Sequence, residues 1–170
     1  MTIGMLIIFL AAGFFLIFAI ILIVAGMIYW FWTQSNKSGK SQVDHFAFAV
    51  SDLERAIQFY TSCLGMRLIM KKLDPVHHEA FALLDLGGAN LEILQRLDEN
   101  NQPLPFECPP LQPPYCPHLA LRTANLDLTL GVLRQQNLPI LEGPLEIPGK
   151  VKWLYFHDPD HNVIEYVQWL

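Results

Sequence analysis

Basic residues are too few and too scattered in this chain to neutralise a phosphate backbone: 11 Lys and Arg stand against 16 Asp and Glu, with no Lys/Arg cluster. Nucleic acid is therefore excluded as a partner. Cysteine is scarcer still. Cys63, Cys108 and Cys116 are odd in number and show neither a CxxC pair nor finger-like spacing, which excludes a disulfide framework and a zinc finger and leaves reduced thiols. Charge of either sign is missing altogether from Met1 to Asn36.

That charge-free stretch is filled by an almost unbroken apolar run from Ile3 to Trp32, far longer than a buried core helix needs. It predicts a single transmembrane helix, with residues 1–32 as an anchor. A cleaved signal peptide would have a basic start, an apolar stretch of about 7 to 15 residues and a small-residue cleavage site. None of these is present. As helix the run would cover about 45 Å against about 30 Å of hydrocarbon, so tilting, or placing Tyr29, Trp30 and Trp32 in the interface, is expected. Residues 33–42 form a polar linker with Lys37 and Lys40, whereas no basic side chain precedes the run. The positive-inside rule then puts the following domain on the cytoplasmic side of the membrane.

Beyond the linker the pattern changes to short alternating segments. Residues 43–50 read as a strand. Ser51 to Glu54 reads as a capping box for a helix over 52–64, with Leu53, Ile57, Tyr60 and Leu64 on one face and Gly65 as its stop. Strands follow at 66–73, 79–86 and 90–97. The order βαβββ then recurs: strand 117–123, helix 125–136 capped by Asn125, and strands near 139–147, 151–157 and 162–169. Between the modules 43–97 and 116–170, residues 98–117 hold seven prolines and read as an extended linker.

The two modules repeat chemistry as well as order. His45 to Glu92 and His118 to Glu165 are each 47 residues apart, and the copies are offset by 73. Strand alternation puts His45 with Ala47 and Ala49, and His118 with Ala120 and Arg122, so small residues leave room beside each imidazole. If the modules pair about a pseudo-twofold, their sheets form a cup and the four side chains can meet on its floor. Two imidazoles and two carboxylates suit one divalent ion, Zn, Ni, Co, Mn or Fe(II), with positions left open for water or substrate.

The segments from Val43 to Leu53, Ala56 to Tyr60, Leu64 to Met66 and Tyr155 to Glu165 resemble the vicinal oxygen chelate superfamily. That family includes glyoxalase I, methylmalonyl-CoA epimerase, extradiol dioxygenases and metal-dependent thiol transferases, and the resemblance covers residues 43–170. It implies an α+β fold of two βαβββ modules paired into an eight-stranded open cup, with metal ligands at His45, Glu92, His118 and Glu165. A carboxylate in the second position is the glyoxalase I-like choice. It implies a lactoylglutathione lyase-like lyase or isomerase acting on a small oxygenated molecule. There the metal stabilises an enediolate, and Glu165, with Glu92 as its symmetric partner, moves the proton.

The chain also departs from the bacterial glyoxalase I pattern, which has an Arg where Ala49 stands. Arg122, Arg96 and Lys150 are the remaining candidates for gripping an anionic substrate. His77, His78, His157 and His161 read as turn residues. Two other readings stay open: a non-catalytic, resistance-type binding module of the same fold, and an Fe(II) ring-cleaving dioxygenase, which Glu92 as a fourth donor disfavours. The proline-rich linker would allow the modules to pair within one chain or across a swapped homodimer with shared sites.

Overall fold

The computed structural model describes residues 20–33 and 41–170. Residues 20–33 are helical (α1), and the large apolar side chains from Ile20 to Trp32 are exposed. The remainder of the expected span, residues 1–19, and most of the polar linker lie outside the described residues. Among the described residues no helix is long and apolar enough to cross a membrane.

Val43–Leu170 is a compact unit of its own. Its first module runs β1 (His45–Ala49), α2 (Leu53–Gln58), β2 (Arg67–Asp74), β3 (Glu79–Asp85) and β4 (Asn90–Arg96). The second runs β5 (His118–Arg122), α3 (Leu126–Gln135), β6 (Ile140–Ile147), β7 (Val151–His157) and β8 (Val163–Trp169). The sheets have the same topology, β1-β4-β3-β2 and β5-β8-β7-β6, with a parallel first pair and antiparallel ladders after it. The sequence-derived strands and α3 agree with these within a few residues.

The helix expected over 52–64 departs from that expectation. α2 stops at Gln58 and the chain widens into a π-helical turn, Phe59–Cys63. Thr61 donates its hydroxyl to the Ile57 carbonyl at 2.7 Å, a back-bond that competes with the regular ladder. The cap differs as well. Asp52, not Ser51, accepts from the Arg55 N–H at 3.0 Å, and Glu54 contacts Lys71 instead of closing a capping box. Asn125 caps α3 as expected, accepting from the Leu128 N–H at 3.0 Å. The repeat extends to a less obvious pair: Gln95 and Gln168 each accept from the first N–H of the helix in their own module.

Each sheet turns one face inward. Phe48, Leu91, Ile93, Ala82 and Leu84 from the first, with Leu119, Ile164, Leu154 and Phe156 from the second, join residues of both helices in one shared apolar cluster. The expected pairing of two βαβββ modules is met, as two separate four-stranded sheets joined through this core; the eight-stranded cup with all four side chains on its floor is not formed by these faces. The faces that carry His45 and His118 lie opposite.

A buried polar clasp joins the modules. The Asp158 carboxylate, 1% exposed, accepts the N–H groups of Asp160 and Asn162, the Asn162 amide and the Tyr60 hydroxyl at 2.8 to 2.9 Å. Ser51 and Arg55 of the first module both donate to Asp160 at 2.6 Å, and the Asn162 amide reaches the Ala49 carbonyl at 3.0 Å. Burial raises the Asp158 carboxyl above the ordinary carboxylate value, against the pull of these donors. Burial, ahead of the adjacent Asp158 charge, pushes the Tyr60 phenol well up and keeps it a donor.

Hydrogen bonds to a charged acceptor contribute about 1.5 to 3 kcal/mol each, and stranded partners add their own desolvation cost. Asp158→Ala is therefore expected to cost about 3 kcal/mol or more, and Tyr60→Phe about 1.5 kcal/mol. Urea unfolding with an unchanged m-value would check both.

Candidate metal centre

The parallel ladders β1·β4 and β5·β8 do the positioning. Ala47 lies level with Glu92, and Ala120 with Glu165. Because side chains two apart share a face, His45 and His118 stand diagonally beside those carboxylates with only a methyl group alongside. The His45 Nε2 is 3.6 Å from a Glu92 oxygen, and the His118 Nε2 is 2.9 Å from a Glu165 oxygen. The second pair is the more sheltered, its side chains 22% and 14% exposed against 45% and 21%.

Each imidazole is fixed through its other nitrogen. His118 Nδ1 lies 2.8 Å from the Tyr115 carbonyl, which can only accept, so Nδ1 carries the proton. In the neutral ring, Nε2 then turns a lone pair towards Glu165, an arrangement that calls for a cation or a proton between the two. His45 Nδ1 likewise donates to Asp44 at 2.8 Å. Donation of the second ring nitrogen to a carbonyl or carboxylate is the usual support of a metal-binding histidine. Two N/O ligands about 2.1 Å from one ion sit about 3.0 to 3.4 Å apart in octahedral or tetrahedral geometry, so spacings near those found suit a shared ion. The donor set fits a divalent cation.

The structure brings the four residues together as two pairs. Among the described residues no group of three or more His, Cys, Asp or Glu is close enough to hold an ion, so His45–Glu92 and His118–Glu165 stay apart within one chain. The cations do not gather around either pair. Arg122 opens onto a shallow cleft with Met66, Asp85, Gly87 and Tyr166. Arg96 lines another with His77, His78, Asp98 and Leu104. Lys150 sits in the β6–β7 turn, its N–H bonded to the Ile147 carbonyl. Among the described residues none of the three is ion-paired. A cleft of about 390 Å³ runs between β1 and the proline-rich strap, lined by Phe46, Ala47, Ala49, Pro113, Tyr115 and Cys116 among others.

Three residues at the site escape sequence reasoning. Asp44 could have been found as the carboxylate next to His45. Tyr155 could have been found by alternation, since β7 and β8 set it level with Glu165. Tyr115 acts through its main chain and left no signal in the composition of the strap. His77 is a turn residue, as its sequence context indicates, and pairs with Asp74; His161 follows the Asp158–Asp160 turn and bonds the Pro109 carbonyl; His157, expected in the turn, instead ends β7 level with Val163 and bonds the Asp158 carbonyl. The three cysteines are free.

The hydrogen bond to Asp44, ahead of the Glu92 charge, holds the His45 imidazole above its ordinary value. A raised value means the protonated ring is favoured below it and is lost as pH rises through it. In an NMR titration of the metal-free chain, His45 is expected to titrate above an unperturbed imidazole and to move down in Asp44→Asn. An unchanged midpoint in that variant would contradict the assigned contact.

Residues 42–166 match the family model described as Glyoxalase/Bleomycin resistance protein/Dioxygenase superfamily. A lactoylglutathione lyase of Shigella flexneri is 29% identical over 126 residues, covering 73% of this chain and 90% of that protein. A putative lactoylglutathione lyase of Brassica oleracea var. gemmifera is 27% identical over 134 residues, 78% of this chain but 46% of that protein, so the chain spans less than half of that relative. Among solved structures, an antibiotic binding protein from a Streptomyces species is similar with a TM-score of 0.56 and 26% identity, over 78% of this chain and 98% of that one.

Proposed function

Because the chain belongs to the glyoxalase/bleomycin resistance protein/dioxygenase superfamily, we propose that it is a metal-dependent, glyoxalase-like lyase or isomerase acting on a small oxygenated molecule. One observation carries this: each module presents a His–Glu pair at the spacing of neighbouring ligands, with the imidazole already fixed through Nδ1. A divalent ion held by His45, Glu92, His118 and Glu165 would supply Lewis acidity towards adjacent substrate oxygens. Glu165, the more sheltered carboxylate, takes the carbon-bound proton and returns it to the neighbouring carbon, with Glu92 the equivalent group in the other half. Arg122, Arg96 and Lys150 are the groups available to an anionic end of the substrate.

A homodimer completes the set. With the pairs apart in one chain, the first module of one copy faces the second module of another, and two equivalent sites result. Residues 1–32 anchor this assembly to a membrane, with the domain on the cytoplasmic side. Support comes from the charge-free stretch Met1 to Asn36, and from α1, where Met27, Ile28, Tyr29, Trp30, Phe31 and Trp32 are all more than half exposed. The likeness to an antibiotic binding protein favours a second reading, in which the same face holds a small molecule without transforming it.

Elemental analysis should find one divalent ion per chain, lost in His45→Ala and in His118→Ala. Mixing these two variants should restore roughly a quarter of the sites, because half the dimers are mixed and each of those has one intact set. No recovery on mixing would contradict the shared site. Turnover of methylglyoxal with glutathione by the metal-loaded chain separates the lyase from the binding module. The anchor predicts that the full chain pellets with membranes through an alkaline carbonate wash and that a chain lacking residues 1–42 does not.

A further inference from the structure

Glu92 and Glu165 are equivalent by the repeat, but their neighbours are not. Across the antiparallel ladders Glu92 lies level with Leu83, whereas Glu165 lies level with Tyr155. One row further on the same faces, Leu94 meets Phe81 and Val167 meets Trp153. The Tyr115 ring, contributed by the strap, lies against Tyr155 with centroids 5.1 Å apart and planes at 36°. His118 stands edge-on to the same ring at 5.4 Å and 73°. Level with its carboxylate the second module thus sets an aromatic ring, extended by Tyr115, where the first offers an aliphatic side chain, and both modules carry an aromatic residue one row further.

These rings are not there to fill the core. Tyr115, Tyr155 and Trp153 are only partly buried and do not belong to the shared apolar cluster, although Tyr166 on the opposite face packs against it. Tyr115 is tied to the site twice over, by its ring on Tyr155 and by the carbonyl that fixes His118. The wall and the orientation of a candidate ligand therefore come from one residue.

We infer that the substrate of this site carries a planar aromatic group next to its pair of oxygens, and that Tyr155, backed by Tyr115, selects it by stacking. The inference rests on the metal-dependent reading above and narrows its substrate class. Aromatic rings gain from offset or edge contacts at centroid separations of about 4.5 to 7 Å, beyond the area they bury.

Benzohydroxamate and acetohydroxamate test this, because they share one chelating head and differ only in a phenyl or a methyl group. Titration calorimetry on the full chain loaded with Zn(II) should show the phenyl compound binding about tenfold tighter or more. Tyr155→Leu copies the residue at the equivalent place in the first module, so the fold should accept it. It should bring the two affinities within about twofold of each other and leave acetohydroxamate unchanged, while Tyr155→Phe keeps the preference. Equal affinities in the unmodified chain, or a preference that survives Tyr155→Leu, would overturn the aromatic wall. So would failure of both compounds to bind a chain that holds its ion. A chain that binds no divalent ion by elemental analysis overturns the metal-dependent reading, and this inference with it.

Discussion

A carboxylate taken out of water must be met by donors, and Asp158 is met by four, one of them from the other half of the repeat. That requirement couples features that are far apart in the chain. Tyr60 has to reach across, from a turn that has widened beyond α-helical geometry. Ser51 and Arg55 turn to Asp160, so the duty of capping α2 falls to Asp52. Asn162 holds the end of β1 through the Ala49 carbonyl, the strand that begins with His45. With helices and apolar faces drawn together around the clasp, the faces that carry the His–Glu pairs are the ones left open.

Much of this was legible in the residues. Hydrophobic alternation located every strand, and the offset between copies picked out His45, Glu92, His118 and Glu165 from six histidines and many carboxylates. A repeat is a strong signal because two segments must satisfy one geometry. The departures lie where a residue answers to a partner distant in sequence. Ser51 looks like a helix cap until the Asp160 carboxylate, 109 residues away, claims its hydroxyl. The π turn at Phe59–Cys63 depends on local back-bonding and on Tyr60's distant partner, neither of which a periodicity registers.

The two His–Glu pairs were legible in the sequence, their surroundings much less so. Asp44 is an ordinary strand-flanking residue whose contact with the adjacent His45 depends on its rotamer, and only the register of the ladder brings Tyr155 beside Glu165. Tyr115 contributes a main-chain oxygen, which any residue type would supply, so composition could not single it out. The sequence left open whether the four side chains meet within one chain or across a swapped homodimer, because the repeat does not say which faces the modules turn to each other. The clasp joins them along a surface other than the one that carries the His–Glu pairs, and the faces remain separate.

A ligand set divided between copies also changes what sets occupancy. In a self-contained site the bound fraction depends on free ion alone. If each complete set needs two chains, as proposed, occupancy would rise with chain abundance as well as with the ion, and the ion would in turn hold the chains together. If residues 1–32 anchor the chain as proposed, confinement to a plane would act on the same equilibrium by raising the effective concentration at which half-sites meet. In such a system the apolar N-terminus would help determine how much of the protein is active, as well as where it is.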